Sequence, residues 1–132
     1  MDAEKAGKQK ALYELRVEGG VMDAEKTSKF KSKKFAVRIV NLYKYLCDEK
    51  KEFVLSKQVL RSGTSIGANL TESKNAQSTA DYLNKQNIAL KEADETAYWI
   101  KNLYQGGYLN EKEYESIAQD CDELIKMLVT SL

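Results

Sequence analysis

The sequence predicts an all-α fold, an antiparallel up-down-up-down four-helix bundle. Three observations lead there. Apolar residues recur at helical spacing along four segments of roughly 20 residues each, joined by short polar connections. No segment alternates apolar and polar residues with the period of a strand. Proline is absent, and capping residues and a glycine pair fall between the periodic segments. With 132 residues, 42% hydrophobic and 31% charged, the chain can bury one core but not two.

Residues 1–28 are expected to form a flexible N-terminal arm, and residues 29–132 the bundle. Met1-Asp2-Ala3-Glu4-Lys5 recurs as Met22-Asp23-Ala24-Glu25-Lys26, a copy too short to be a structural repeat. It marks a natural start at Met22, a duplicated front end, or a coincidence. Ala11, Leu12 and Leu15 would support a short helix ending near Gly19-Gly20. Lys26 to Lys34 then holds five lysines and no acid. That strip is either a solvated helix start or a surface for phosphates. The solvated helix start is the preferred reading, since short charge runs are usually wet surface; positive charge at a helix N-terminus opposes the macrodipole, a small sign of some other use.

The first long helix is expected from about Ser32 to Lys50. Phe35, Ile39, Leu42 and Leu46 form its apolar stripe. Ala36, Val40, Tyr43 and Cys47 form a second band beside it. The combined arc is wider than a helix on a monomer's surface needs, so the helix is either deeply embedded or in contact with another subunit. Asp48 to Glu52 makes the turn.

The second helix is expected from about Phe53 to Ala76. It runs through Leu60-Arg61-Ser62-Gly63-Thr64-Ser65-Ile66-Gly67-Ala68-Asn69-Leu70. Each glycine costs about 1 kcal/mol relative to alanine in a helix, and the hydroxyl residues compete for backbone bonds. Leu55, Val59, Ile66 and Leu70 nevertheless carry a helical stripe through the stretch. The reading is a helix with a small inner face, so that other backbones come close. Gly63 and Gly67, with Ala89 and Ala93 on the third helix, are the close-packing positions.

Ser78 is placed to cap the third helix, with Asp81 in its first turn. The helix should reach about Tyr104, with Tyr82, Gln86, Ala89, Ala93, Ala97 and Ile100 facing inward. Gly106-Gly107 stops it. Asn110 and Glu113 have capping-box spacing for the fourth helix. There Tyr114, Ile117, Ala118, Cys121, Leu124, Ile125, Leu128 and Leu132 give the cleanest amphipathic pattern in the chain.

The chemistry available is narrow. The sequence contains no histidine, which removes the usual general base, the commonest metal ligand and the hydrolytic triads. Carboxylates inside a four-helix bundle raise a di-iron site, but that site needs histidine as well. Cys47 and Cys121 are too few and too far apart for a disulfide framework or a zinc site and are expected to be reduced, buried and inert. Gly63 and Gly67 lack the lysine-serine ending of a phosphate loop. Their flanks are too polar for a membrane dimer. No catalytic residue, metal or cofactor is assigned. No apolar run approaches the roughly 20 residues that span a bilayer, and the charged N-terminus lacks an export signal, so the expected location is cytoplasmic.

Arg61 should fall opposite Glu92 if the second and third helices are antiparallel. We expect a partly buried structural clamp of Arg61 with Glu92 or Glu95, joined by Ser62 or Tyr98. Charge is also polarised along the chain. The first 75 residues total +6 and the remainder −5, which could orient subunits or present a basic surface to a polyanion.

Much of this text resembles a known family, the small bacterial four-helix-bundle proteins called S23 or 23S rRNA intervening-sequence proteins. The matching residues are Phe35-Ala36-Val37-Arg38-Ile39, then Gln58 through Ser73, Ala76-Gln77-Ser78, Asp81-Tyr82, Lys85, and Ile88 through Ile100. The run Arg61-Ser62-Gly63-Thr64-Ser65-Ile66-Gly67-Ala68-Asn69 is the most specific part. The resemblance implies a four-helix bundle that assembles with copies of itself, by analogy into a pentamer. A relative within it is the accessory protein of diversity-generating retroelements, a basic pentameric barrel that binds nucleic acid and a reverse transcriptase. No catalytic residues come with the resemblance.

The leading functional expectation is a non-enzymatic homo-oligomeric scaffold or adaptor that contacts RNA or DNA through Lys29, Lys31, Lys33, Lys34 and Arg38. The alternative is a protein–protein adaptor with no nucleic-acid role, using the acidic fourth helix or the apolar band on the first. A small enzyme built on Glu92, Glu95 and a lysine is disfavoured by the missing histidine and cofactor motif.

Overall fold

The computed structural model describes residues 27–132, which hold four helices: α1 (Ser28–Asp48), α2 (Leu55–Ser73), α3 (Thr79–Gln105) and α4 (Glu111–Ser131). The expected N-terminal arm, its short helix and its repeated pentapeptide fall on residues 1–26, outside the described residues. Residues 32–132 group into one compact unit, distinct from residues 1–31, and the packing below is internal to it.

Each helix starts where a side chain accepts its first amide hydrogens. Thr27 Oγ1 accepts from the Phe30 amide at 3.0 Å, which begins α1 four residues earlier than its apolar stripe indicated. The turn after α1 is more specific than its charge suggested. Glu52 is buried and accepts from the amides of Val54, Leu55 and Ser56 at 3.2, 2.9 and 2.7 Å. It thus satisfies the orphan donors at the start of α2 and sets a negative charge at the positive end of that helix. Ser78 caps α3 through the Asp81 amide at 3.0 Å. Asn110 and Glu113 form the complete capping box of α4. Gly107, with φ of 90°, lets the chain reverse after α3 where a Cβ would be strained.

Residues 60–70 are helical throughout and lie inside α2. α1 meets α2 at Gly63 and α4 at Asp120, while α3 meets α2 at Thr96 and α4 at Cys121. Every helix therefore lies beside its neighbours in sequence, and α1 closes the circuit with α4. The α2–α3 pairings run in opposite order, Ser62 to Thr96 and Ser73 to Gln86, as antiparallel neighbours must. The fold is the up-down-up-down bundle.

All four helices feed the core. Ile39, Leu46, Val59, Ile66, Ile100, Leu103, Leu124 and Leu128 are closed to solvent. Gln86, Ala89, Ala93 and Ile100 take their expected inward places on α3, but Tyr82 is largely exposed. It sits in the first turn of α3. On α1 the main stripe is buried at Phe35, Ile39 and Leu46, whereas Val40 in the second band and Val37 beyond it stay exposed. Ala36, Tyr43 and Cys47 in that band are half-buried, so Val40 is the one exposed member of the apolar arc.

Candidate functional site

The polar residues singled out by the sequence lie mostly along α2 and α3. Ser62 and Thr96 are fully buried and hydrogen-bonded at 2.9 Å, and the Thr96 hydroxyl also reaches the Glu92 carbonyl at 2.7 Å. Arg61 is one residue out from this pair. Its guanidinium pairs closely with Glu95, stands 3.7 Å from Glu92, and reaches Gln58 at 3.4 Å. The Arg61 side chain is 55% exposed, so the ion pair is wetter than expected. Ser62 is not its partner, and Tyr98 points outward and stacks edge-on against Trp99.

Trp99, which helical spacing puts on one face of α3 with Glu92 and Glu95, is a further partner. Its indole N–H donates to the Glu95 carboxylate at 3.0 Å. That bond, with Arg61 behind it, holds the Glu95 carboxyl below its usual range against the opposing effect of desolvation. The signal was present as Glu95 and Trp99 one helical turn apart. Glu92 Oε1 is buried and makes no hydrogen bond.

Gly63 and Gly67 are buried against α1. A Cβ on Gly63 would stand 2.7 Å from Ile39 Cγ1, and one on Gly67 would stand 3.1 Å from Ser32 Oγ. Ala89 and Ala93 are fully buried on α3. At Ala93 the approach comes from α4, whose Cys121 thiol donates to the Ala93 carbonyl at 3.4 Å. Burial pushes the Cys121 thiol up to about 12, and nearby Asp122, Asp94 and Asp120 add to the effect. The thiolate is disfavoured, and Cys121 is a packing group rather than a nucleophile. Cys47 is only half-buried.

The basic candidates divide. Lys29, Lys31, Lys33 and Lys34 occupy the first two turns of α1, with Lys33 and Lys34 exposed. Arg38 is committed elsewhere. It binds Asp120 Oδ2 at 2.7 Å, the Ser116 carbonyl at 3.1 Å and the Ser116 hydroxyl at 2.9 Å. It therefore ties α1 to α4, joined by Tyr45 donating to Glu113 at 3.2 Å. Nothing in the local pattern of α1 marks Arg38 apart from the lysines; its partners are roughly 80 residues away.

Two open grooves flank α4. One, of about 480 Å³, lies toward α1 and is lined in part by Arg38, Leu42, Tyr45 and Ile117. The other, of about 510 Å³, lies toward α3 over Ala97, Tyr114, Ala118 and Ile125, with Glu115 and Asp122 on its rim. Among the described residues no cluster of three metal-ligating side chains occurs, and no helix is long and apolar enough to cross a membrane.

Comparison with known proteins gives concordant results. A search of curated proteins finds no match. Among solved structures, the chain is similar to a protein of unknown function from the S23 ribosomal protein family of Bacteroides thetaiotaomicron. The two are 58% identical, with a TM-score of 0.79 over 80% of this chain and 97% of the other. The family model described as 23S rRNA-intervening sequence protein matches residues 27–130, which takes in all four helices. The chain belongs to the 23S rRNA-intervening sequence protein family.

Proposed function

We propose that the protein is a non-enzymatic scaffold or adaptor that assembles with copies of itself and contacts RNA or DNA through the lysines that open α1. The observation that carries the scaffold reading is the use of the interhelical polar groups. Arg38, Arg61, Ser62, Ser73, Lys85, Gln86, Glu95 and Thr96 each bond a neighbouring helix. These groups hold helices in register rather than converge on a substrate. Supporting the nucleic-acid part, α1 carries six basic residues against one acid. Lys29, Lys31 and Lys34 are the proposed phosphate contacts; Arg38 serves the bundle, and Lys33, on the flank of exposed Val37, is left to a contact between copies. By analogy with the family the assembly is a pentamer, and its setting is the cytoplasm.

Native mass measurement, with co-purifying nucleic acid recorded before and after nuclease treatment, tests both parts. Retention of RNA or DNA that falls steeply with salt supports phosphate contacts. Stable assembly with no retained or added nucleic acid bound leaves the protein–protein adaptor, which the acidic surface of α4 favours.

A further inference from the structure

The surface apolar residues and the surface charges coincide. Val37 is 61% exposed and Val40 37%, and both lie on the side of α1 away from the Arg38 and Tyr45 contacts with α4. At 100° per residue Lys33 and Lys44 share that flank. Across the bundle, Val129 is 56% exposed on the α4 flank that bounds the α3–α4 groove. Glu111, Glu115 and Asp122 continue this flank of α4, where Asp122 also pairs with Lys126 at 3.4 Å. Asp94 approaches from α3, within electrostatic reach of Cys121. Six basic residues stand against one acid on α1, and two against six on α4.

The spacings also agree. Lys33, Val37, Val40 and Lys44 follow a 4-3-4 pattern, and Glu111, Glu115, Ala118 and Asp122 follow the same one. Each set spans about 16 Å of helix rise. We infer that the lysine-valine flank of α1 in one copy seats in the acidic α3–α4 groove of the next. This rests on the reading of the chain as a self-assembling scaffold and names the surfaces it uses. Lysines bracketing exposed valines suit an interface that excludes water between charged rims. Phosphates would leave the valines wet. Because the two surfaces differ and lie on opposite sides of the bundle, the contact is heterologous. Every copy offers both halves, so assembly closes into a ring or continues as a filament.

The test is charge reversal, read by sedimentation and native mass on nuclease-treated protein, with circular dichroism confirming the fold. One variant carries Lys33→Glu and Lys44→Glu, a second Glu115→Lys and Asp122→Lys, and a third all four changes. Each two-site variant is expected to weaken self-association by about a hundredfold or more, since like charges then face each other. The four-site chain restores opposite charges and should reassemble. Unchanged mass in either two-site variant overturns the inference while leaving self-assembly intact, and so does a folded four-site chain that stays single. Loss of nucleic-acid retention with unchanged mass in the lysine variant also overturns it, assigning those lysines to phosphate. A wild-type chain that remains single at high concentration removes the scaffold reading itself.

Discussion

Helix α2 makes two contacts of opposite character. Toward α1 it offers absence: Gly63 and Gly67 leave room that Ile39 and Ser32 fill. Toward α3 it offers hydrogen bonds: Ser62 to Thr96 in the dry interior, Ser73 to Gln86 lower down, Arg61 to Glu95 at the surface. The first contact depends on shape and tolerates no added volume. The second depends on pairing, and its sensitivity falls with distance from the core. One helix can thus fix its distance to one neighbour and its register with the other.

The largest effect should come from filling the glycine seam. Gly63→Leu places a whole side chain where even a Cβ meets Ile39 at 2.7 Å. A loss of more than about 2 kcal/mol is expected, despite the gain in helix propensity. Thermal melting checks it; a transition within a degree or two of wild type would mean that α1 and α2 can part freely.

Next is the buried pair. Thr96→Val removes both hydrogen bonds of that hydroxyl and leaves Ser62 Oγ without its Thr96 partner in the interior. About 1–3 kcal/mol should be lost, measurable by urea denaturation. If Ser62→Ala with Thr96→Val costs less than Thr96→Val alone, the penalty lies in the stranded hydroxyl.

Arg61→Ala should cost less than either, no more than about 1 kcal/mol, because the guanidinium is more than half exposed and water screens it. That is smaller than a buried clamp would give. A loss above the Thr96→Val value would show the ion pair to be the stronger part of the seam.

The smallest effect is a titration. Trp99→Phe removes the main cause of the lowered Glu95 pKa, so the carboxyl should titrate nearer its ordinary value. A depressed carboxylate adds stability above its unfolded pKa and loses it as pH falls through the folded one. The melting temperature of wild type should therefore drop on acidification, and that of Trp99→Phe should drop less. Side-chain carbon NMR of Glu95 reads the shift directly; an unmoved Glu95 resonance removes Trp99 as its cause.

The family-specific run through Gly63 and Gly67 was legible as helix because Leu55, Val59, Ile66 and Leu70 keep their period across it. The capping box at Asn110 and the cap at Ser78 were legible for the same local reason: both partners lie within one turn. Glu52 was passed over as part of a charged turn, since only the folded turn brings its carboxylate back over three amides. Arg38 read as one more cation in a basic stretch, and its partners on α4 gave no local sign.

The sequence alone determined the four helices of the described residues, their order and most of their inward faces, because period, caps and stops act within a few residues. Tertiary structure alone decided which charges were spoken for. Whether Arg38 reaches Asp120, or Glu95 takes Trp99 as well as Arg61, depends on rotations and distances between whole helices. Those are set by the packed core, where each added or missing methylene moves every neighbour at once.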